Sequence, residues 1–309
     1  MFDYPLLLKP ICVPRPWGAG LISSLYDREA SQSEVKIGES WDVSTFPQDP
    51  GNPDLKTVNT IINGPLKGKL LNEVLECPVV VKILDTRERL SVQIHPVKAG
   101  DTKDEMWYIL NATEDAFLYL GLKEGVDPAT YCDRAGDSNA TAEEVTGLLN
   151  CYDNLKFGDF FNVPSGTIHA VGPNIVAFEV SEQKQITYRL YDYNRGRALH
   201  LAEGKEAATG TREDLPILDV SLEVVCDEIN YITKFPAFWV CEVYGEEVSV
   251  DACDRPHILT AVAGDVEIMG ENENWNIKVG HSKSAIIPGG YEYKVKNSGD
   301  RFLLTPFKD

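Results

Sequence analysis

Short runs of alternating or continuous apolar residues, cut by Gly, Pro, Asn and Asp, recur along the chain. The earlier ones are Val79–Leu84, Leu90–His95, Met106–Leu110, Phe117–Gly121, Phe160–Val163, Val176–Val180 and Thr187–Tyr191. Alternation puts successive side chains on opposite faces of a strand, so that one face packs and the other is free to meet solvent. Many short strands between turn signals predict a mainly β protein of the sandwich or jelly-roll kind. Helical signals are fewer. Ser138–Asn150 sets Thr141 three residues before Glu144, the spacing of a capping box, ahead of Val145, Leu148 and Leu149. Asp127-Pro128-Ala129 puts a proline in a first helical turn. Residues 122–155 are therefore expected to form a small helical insertion, and Lys69–Leu75 to add one helical turn or two.

After Leu199-His200-Leu201 the composition turns to Ala, Glu and Gly, and Asp214-Leu215-Pro216-Ile217 reads as a connector. A second strand series follows: Phe238–Tyr244, His257–Ala263, Val266–Met269, Ala285–Pro288 and Tyr291–Lys296. The division expected is thus 1–217 and 218–309. With 309 residues the chain is long enough for about two domains, each with its own core. A net charge of −19 argues against nucleic acid or an anionic membrane as partner, and the acidity by itself requires only solubility. Any anionic ligand would need a local basic pocket. The seven cysteines are scattered and contain no C-x-x-C pair, which favours free buried thiols in a reducing compartment. Met1–Lys9 carries an acid and a proline where a signal peptide needs a basic start and a long apolar core. No apolar run approaches membrane-spanning length, so a cytoplasmic protein is expected.

Candidate chemistry concentrates in three places. Gln93 and His95 are two apart in the Leu90–Pro96 run and project from one strand face. Glu105 opens the Met106-Trp107-Tyr108 run, and His169 closes Val163-Pro164-Ser165-Gly166-Thr167-Ile168. Each alone has a plainer reading: a surface pair, a strand edge, a turn leading into a strand. Together they can converge from three strands as two imidazoles, a carboxylate and an amide oxygen. That set carries one negative charge, so a bound Zn²⁺ would keep net positive charge and act as a Lewis acid. Gly158-Asp159 followed by Pro164-Ser165-Gly166 and His169 resembles the second half-motif of the cupin β-barrels.

With these segments the chain resembles the type I mannose-6-phosphate isomerases in their short bacterial form. The match runs in family order over about residues 4–205. It takes in Trp17-Gly18, Gly38-Glu39-Ser40-Trp41-Asp42-Val43-Ser44, Val81-Lys82-Ile83-Leu84-Asp85, Gly158–Ala170 and Thr187–Arg195. The resemblance implies two cupin-like jelly-roll domains, one Zn²⁺ per chain on Gln93, His95, Glu105 and His169, and a sugar phosphate as small-molecule substrate. Ile287–Tyr293 lines up with Val163–His169 but has Tyr293 in place of His169, and neither His257 nor His281 has a Gln-x-His partner. The C-terminal domain is therefore expected to be a degenerate, metal-free cupin with a packing role.

Three cations are candidates for the rest of the chemistry. Lys82 lies in an apolar strand, where periodicity alone favours a snorkelling edge lysine; the family's V-K-x-L-D segment favours a catalytic one. Lys103 is two residues before Glu105 and shares its face if the strand extends that far, or else is a loop lysine between Asp101 and Asp104. Arg189 is either the active-site arginine that the resemblance implies or half of an ion pair with Glu179 or Asp192. The segment 97–104 is shorter than in relatives, and Asp104 adds a negative charge beside Lys103. The expected activity is exchange of mannose 6-phosphate and fructose 6-phosphate through an enediol. Alternatives are an isomerase of another free or phosphorylated aldose, or a non-catalytic sugar-phosphate-binding cupin. A cupin Fe²⁺ oxygenase would rely on more histidine ligands.

Overall fold

The apolar runs become strands with shifted ends in the computed structural model, which describes residues 2–25, 28, 36–98, 100–211, 215–270 and 275–308. Asp214 of the connector and Ala99 of the short loop lie outside the described residues. Val79–Leu84 extends to Val79–Thr86, Val176–Val180 to Ile175–Glu182, and Met106–Leu110 to Glu105–Ala112. Glu105 is thus inside a strand. Leu90–His95 shortens to Val92–Ile94, with His95 just beyond it.

The chain groups into two compact units, and not at a single cut near 217. A central unit holds Cys12–Ser40 and Ile83–Asp214; a terminal unit holds Met1–Ile11, Trp41–Lys82 and Leu215–Asp309. The reason is strand pairing far along the chain. Leu6–Lys9 pairs with Ser284–Ile287, Leu6 opposite Ile286, and Thr60–Ile61 extends the same sheet. Local pattern carries no trace of such a partner.

One sheet of the central unit runs Tyr188–Tyr191, Val92–Ile94, His169–Val171, Phe117–Leu122, Leu149–Asp153. The other begins Phe160–Val163, Glu105–Ala112, Ile175–Glu182 and continues through Val79–Thr86, Ile37–Val43 and Ile11–Pro14, strands in which the chain passes between units. Val92, Ile94, Tyr131, Ile168 and Leu190 form one buried cluster; Trp17, Leu84, Trp107, Leu118 and Val163 form another.

The terminal unit repeats this pairing. His257–Thr260 lies between Ser284–Ile287 and Arg301–Pro306, as Glu105–Ala112 lies between Phe160–Val163 and Ile175–Glu182. Tyr293–Asn297 lies between Glu247–Cys253 and Val266–Gly270, as His169–Val171 lies between Val92–Ile94 and Phe117–Leu122. Its core gathers Val250, Leu259, Ile268, Tyr293 and Phe302.

The insertion contains helices Pro128–Gly136 and Ala142–Thr146. Asp127 Oδ1 accepts from the Ala129 and Thr130 amides at 2.9 and 3.0 Å. Thr141 and Glu144 form the reciprocal capping box, at 3.2 and 2.9 Å. The insertion is not wholly helical: Leu149–Asp153 is a strand paired with Phe117–Leu122. Lys69–Leu75 yields a single 3₁₀ turn, Leu71–Glu73. The Ala-Glu-Gly stretch folds as a further helix, Leu201–Thr209, where no helix was expected. All seven cysteines are free thiols, but Cys151 is exposed and Cys12 and Cys226 are half-buried. No helix among the described residues is long and apolar enough to cross a membrane.

Candidate metal centre

Three elements of the central unit bring His95, Glu105 and His169 together, with one ligand atom from each lying within 4.8 Å of the others. All three are buried. Glu105 sits opposite Val163 at the end of the Pro164-Ser165-Gly166 turn, and that turn returns the chain to His169. Gly166 makes the turn possible: its φ is +86°, and an added Cβ would stand 2.6 Å from Val97. His169 pairs across the sheet with Gln93, so both side chains rise from one face.

The ring nitrogens are sorted by their outer partners. His95 Nδ1 lies 3.0 Å from the Ile186 carbonyl and His169 Nδ1 lies 2.8 Å from the Thr167 carbonyl. A carbonyl only accepts, so each Nδ1 carries the proton and each Nε2 presents a lone pair. Both Nε2 atoms are buried without a hydrogen-bond partner. They face Glu105, His95 Nε2 at 3.1 Å from Oε1 and His169 Nε2 at 3.7 Å from Oε2. Lone pairs aimed at a carboxylate repel unless a cation stands between them. Two donors on a tetrahedral Zn²⁺ with bonds of about 2.1 Å would be roughly 3.4 Å apart, so the donor spacing fits such an ion.

The electrostatics agree. Burial pushes His169 down to about 4, helped by His95 and opposed by Glu105, so its imidazole is neutral at neutral pH. Burial would raise Glu105, yet Lys103 first and His95 next hold its carboxyl well below the usual carboxylate range. The deprotonated forms are the ones a metal requires.

Lys103 is no loop lysine. It is buried, and its Nζ donates to Glu105 Oε1 at 2.5 Å. The neighbouring Asp104 does not add charge to an open pocket. It is buried, accepts from the Ser165 amide at 2.9 Å, and its own amide donates to Glu182 Oε2 at 2.8 Å. Ser165 Oγ accepts from the Lys103 amide at 2.7 Å, which closes a clamp between the segment before Glu105 and the turn before His169. Ser165 has no distinguishing local signal, and only these long-range contacts show its use.

Arg189 pairs across the sheet with Gln93, on the side away from His169. Its Nη1 donates to the Ala198 carbonyl at 3.0 Å, and its Nε is buried without a partner. The alternative of an Asp192 ion pair is answered by Arg197, which donates from both Nε and Nη2 to that carboxylate. Burial and the neighbouring Arg197 lower Arg189 somewhat, but a guanidinium remains charged. Lys82 belongs to the terminal unit, where its half-buried side chain places Nζ 4.8 Å from the centroid of the Trp41 ring.

No protein-family model matches the chain. Among curated proteins it is 32% identical to the probable mannose-6-phosphate isomerase GmuF of Bacillus subtilis, over 97% of this chain and 93% of that one. It is 30% identical to mannose-6-phosphate isomerase ManA of the same organism, over 71% and 70%. The crystal structure of the Bacillus subtilis mannose 6-phosphate isomerase shares the fold with a TM-score of 0.77 and 24% identity, over 98% of this chain and 99% of that one. A mannosephosphate isomerase structure from Archaeoglobus fulgidus, described as putative, follows at 0.69 and 16%, over 99% and 98%. The pairing of extended identity with a matching fold and a buried His-Glu-His cluster shows that the chain belongs to the type I mannose-6-phosphate isomerase family.

Proposed function

We propose that the chain is a zinc-dependent aldose–ketose isomerase that interconverts mannose 6-phosphate and fructose 6-phosphate through an enediol. The observation that carries the reading is the pair of buried Nε2 lone pairs turned on a buried carboxylate. Gln93, His95, Glu105 and His169 would hold one Zn²⁺. Bound there, the ion would supply Lewis-acid polarisation of sugar oxygens.

The chain's own residues account for the rest. Isomerisation removes a proton from carbon beside a carbonyl and leaves negative charge on oxygen, so cations must wait where that charge appears. Lys103 Nζ is already at the carboxylate and can hold a proton near a substrate oxygen. Arg189 stands next to Gln93 with a buried Nε–H uncommitted, a donor suited to an enediolate or phosphate oxygen. Lys82 is a third cationic candidate, carried from the family segment, with its head held over Trp41. The packed surroundings of His169, including Trp107 at 5.5 Å between ring centroids, keep water from the ligands. The segment 218–309 is assigned a packing role without metal. Seven free cysteines suit a reducing cytoplasm.

The test is an isomerase assay against free and phosphorylated hexoses, with and without chelator. Exchange of the two 6-phosphates, lost on chelation and restored by Zn²⁺, is expected. Chelator-resistant turnover, or turnover of free sugars alone, would overturn the reading.

A further inference from the structure

His200 opens the Leu201–Thr209 helix at the N-cap position, yet its side chain makes no capping bond. Ser, Thr, Asp or Asn normally fills that place and accepts from the first amides of the helix. Here the imidazole is turned the other way. Its Nδ1 accepts from the Arg189 backbone amide at 3.1 Å, and the His200 amide donates back to the Arg189 carbonyl at 2.7 Å. Nδ1 must therefore be the unprotonated nitrogen, with the proton on Nε2.

The consequence lies in strand geometry. Tyr188–Tyr191 is the edge strand of its sheet, with Val92–Ile94 as its neighbour. In an antiparallel pair, residues whose backbone groups point away from the partner strand are the closely spaced ones, with side chains nearest one another. Arg189 gives both its N–H and its C=O to His200, so its pairing with Gln93 is of this close kind. The arginine side chain is thereby set directly beside the proposed ligand Gln93. A second tie fixes the head: Nη1 donates to the carbonyl of Ala198, two residues before His200. The helix can come this close because residue 204 is glycine; a Cβ there would fall 2.0 Å from Leu190, the residue after Arg189.

We propose that His200 is a positioning residue for isomerisation. Its ring Nδ1 accepts from the Arg189 amide and its own amide donates to the Arg189 carbonyl, and together these bonds hold Arg189 in register beside Gln93, without a contact to metal or substrate. This rests on the role given to Arg189 above. The nearer alternative, a residue that serves only the helix, does not explain why the ring leaves the helix amides uncapped.

Measurements on the zinc-loaded full chain separate these ideas: kcat, KM, metal content and melting temperature for Arg189→Ala, His200→Ala, His200→Asn and the Arg189→Ala/His200→Ala double variant. Misplacement of a reacting or stabilising group by about 1 Å can cost on the order of 10²-fold in turnover. His200→Ala should lose 10- to 100-fold in kcat, an order-of-magnitude range below that ceiling, with one metal still bound. His200→Asn offers a side-chain oxygen near the place of Nδ1 and should recover most of the loss. The double variant should turn over no more slowly than Arg189→Ala, because the two residues act as one unit. Full turnover in His200→Ala beside an impaired Arg189→Ala overturns the positioning role alone. Equal loss in His200→Ala and His200→Asn, tracking melting temperature, also overturns it. Normal turnover in Arg189→Ala refutes the arginine's role itself.

Discussion

The central and terminal units share one strand-pairing scheme and differ at the positions that matter for chemistry. Gln93 opposite His169 in one becomes Val250 opposite Tyr293 in the other. Glu105 opposite Val163 becomes His257 opposite Ile287, and Arg189 opposite Gln93 becomes Val224 opposite Val250. In the terminal unit the two polar survivors satisfy each other. His257 Nδ1 faces the Arg255 carbonyl at 3.2 Å, so Nε2 is an acceptor, and Tyr293 donates its hydroxyl to it at 2.6 Å. In the central unit His95 Nε2 and His169 Nε2 have no hydrogen-bond partner. The same frame thus yields a closed polar pair in one place and an open ligand set in the other. Completed hydrogen bonding contributes stability, whereas two unpartnered buried ring nitrogens turned on one carboxylate call for a ligand between them.

The sharpest way to break this contrast is to count metal. A His95→Ala/His169→Ala variant should fall from about one equivalent of zinc to none by elemental analysis. His257→Gln should leave the full equivalent. Metal retained in the first, or lost in the second, would reverse the assignment of the units.

Turnover comes next. Arg189→Ala should reduce kcat on the order of 10²–10³-fold, with metal content and melting temperature little changed. Arg189→Lys keeps the charge but loses the planar fork, so it should remain impaired. Activity that falls only in step with melting temperature would make Arg189 a structural residue.

Acid stability probes both units at once. His169 and His257 are each pushed down to about 4, in both cases chiefly by burial. An unfolded histidine titrates near 6.5, so between these values the unfolded chain binds more protons, and stability falls as pH drops through that window. Each buried imidazole contributes on the order of 3 kcal/mol to that fall. Saturating zinc should protect the central unit by competing for His169, while His257→Gln should flatten the acid slope of the terminal unit. Unfolding monitored from pH 7 to 4, with and without metal, reads both; a slope unchanged by either intervention would count against the pairing described.

The smallest effect is expected from Tyr293→Phe. It strips the donor from His257 Nε2 and should cost about 1–3 kcal/mol of stability in chemical denaturation, with kcat untouched. A change in kcat without a change in stability would give the strand series after residue 218 a part in catalysis.

Much of the site was legible because strand periodicity is local. The two-residue spacing of Gln93 and His95 is a strand-face spacing in any β context, and Pro164–Gly166 carries turn residues just before His169. The Thr141–Glu144 box was equally plain, since both partners lie within one helical turn. The Leu201–Thr209 helix was not. It has no side-chain cap, and Gly204, which weakens a helix by about 1 kcal/mol relative to alanine, sits in its middle. Only the approach of Leu190 explains that glycine.

The sequence by itself determined the strand-rich class and the spacing of the candidate ligands, because each depends on neighbours a few residues apart. The tertiary structure decided which segments share a unit, that Asp104 and Ser165 tie the 97–104 segment to the turn before His169, and that the His200 ring bonds Arg189 rather than capping its own helix. Those outcomes rest on partners between 11 and 62 residues away for the clamp and the histidine, and farther still for Leu6 and Ile286. Hydrogen bonds and strand registers of that reach are selected by the burial of whole sheets, and no local pattern encodes them.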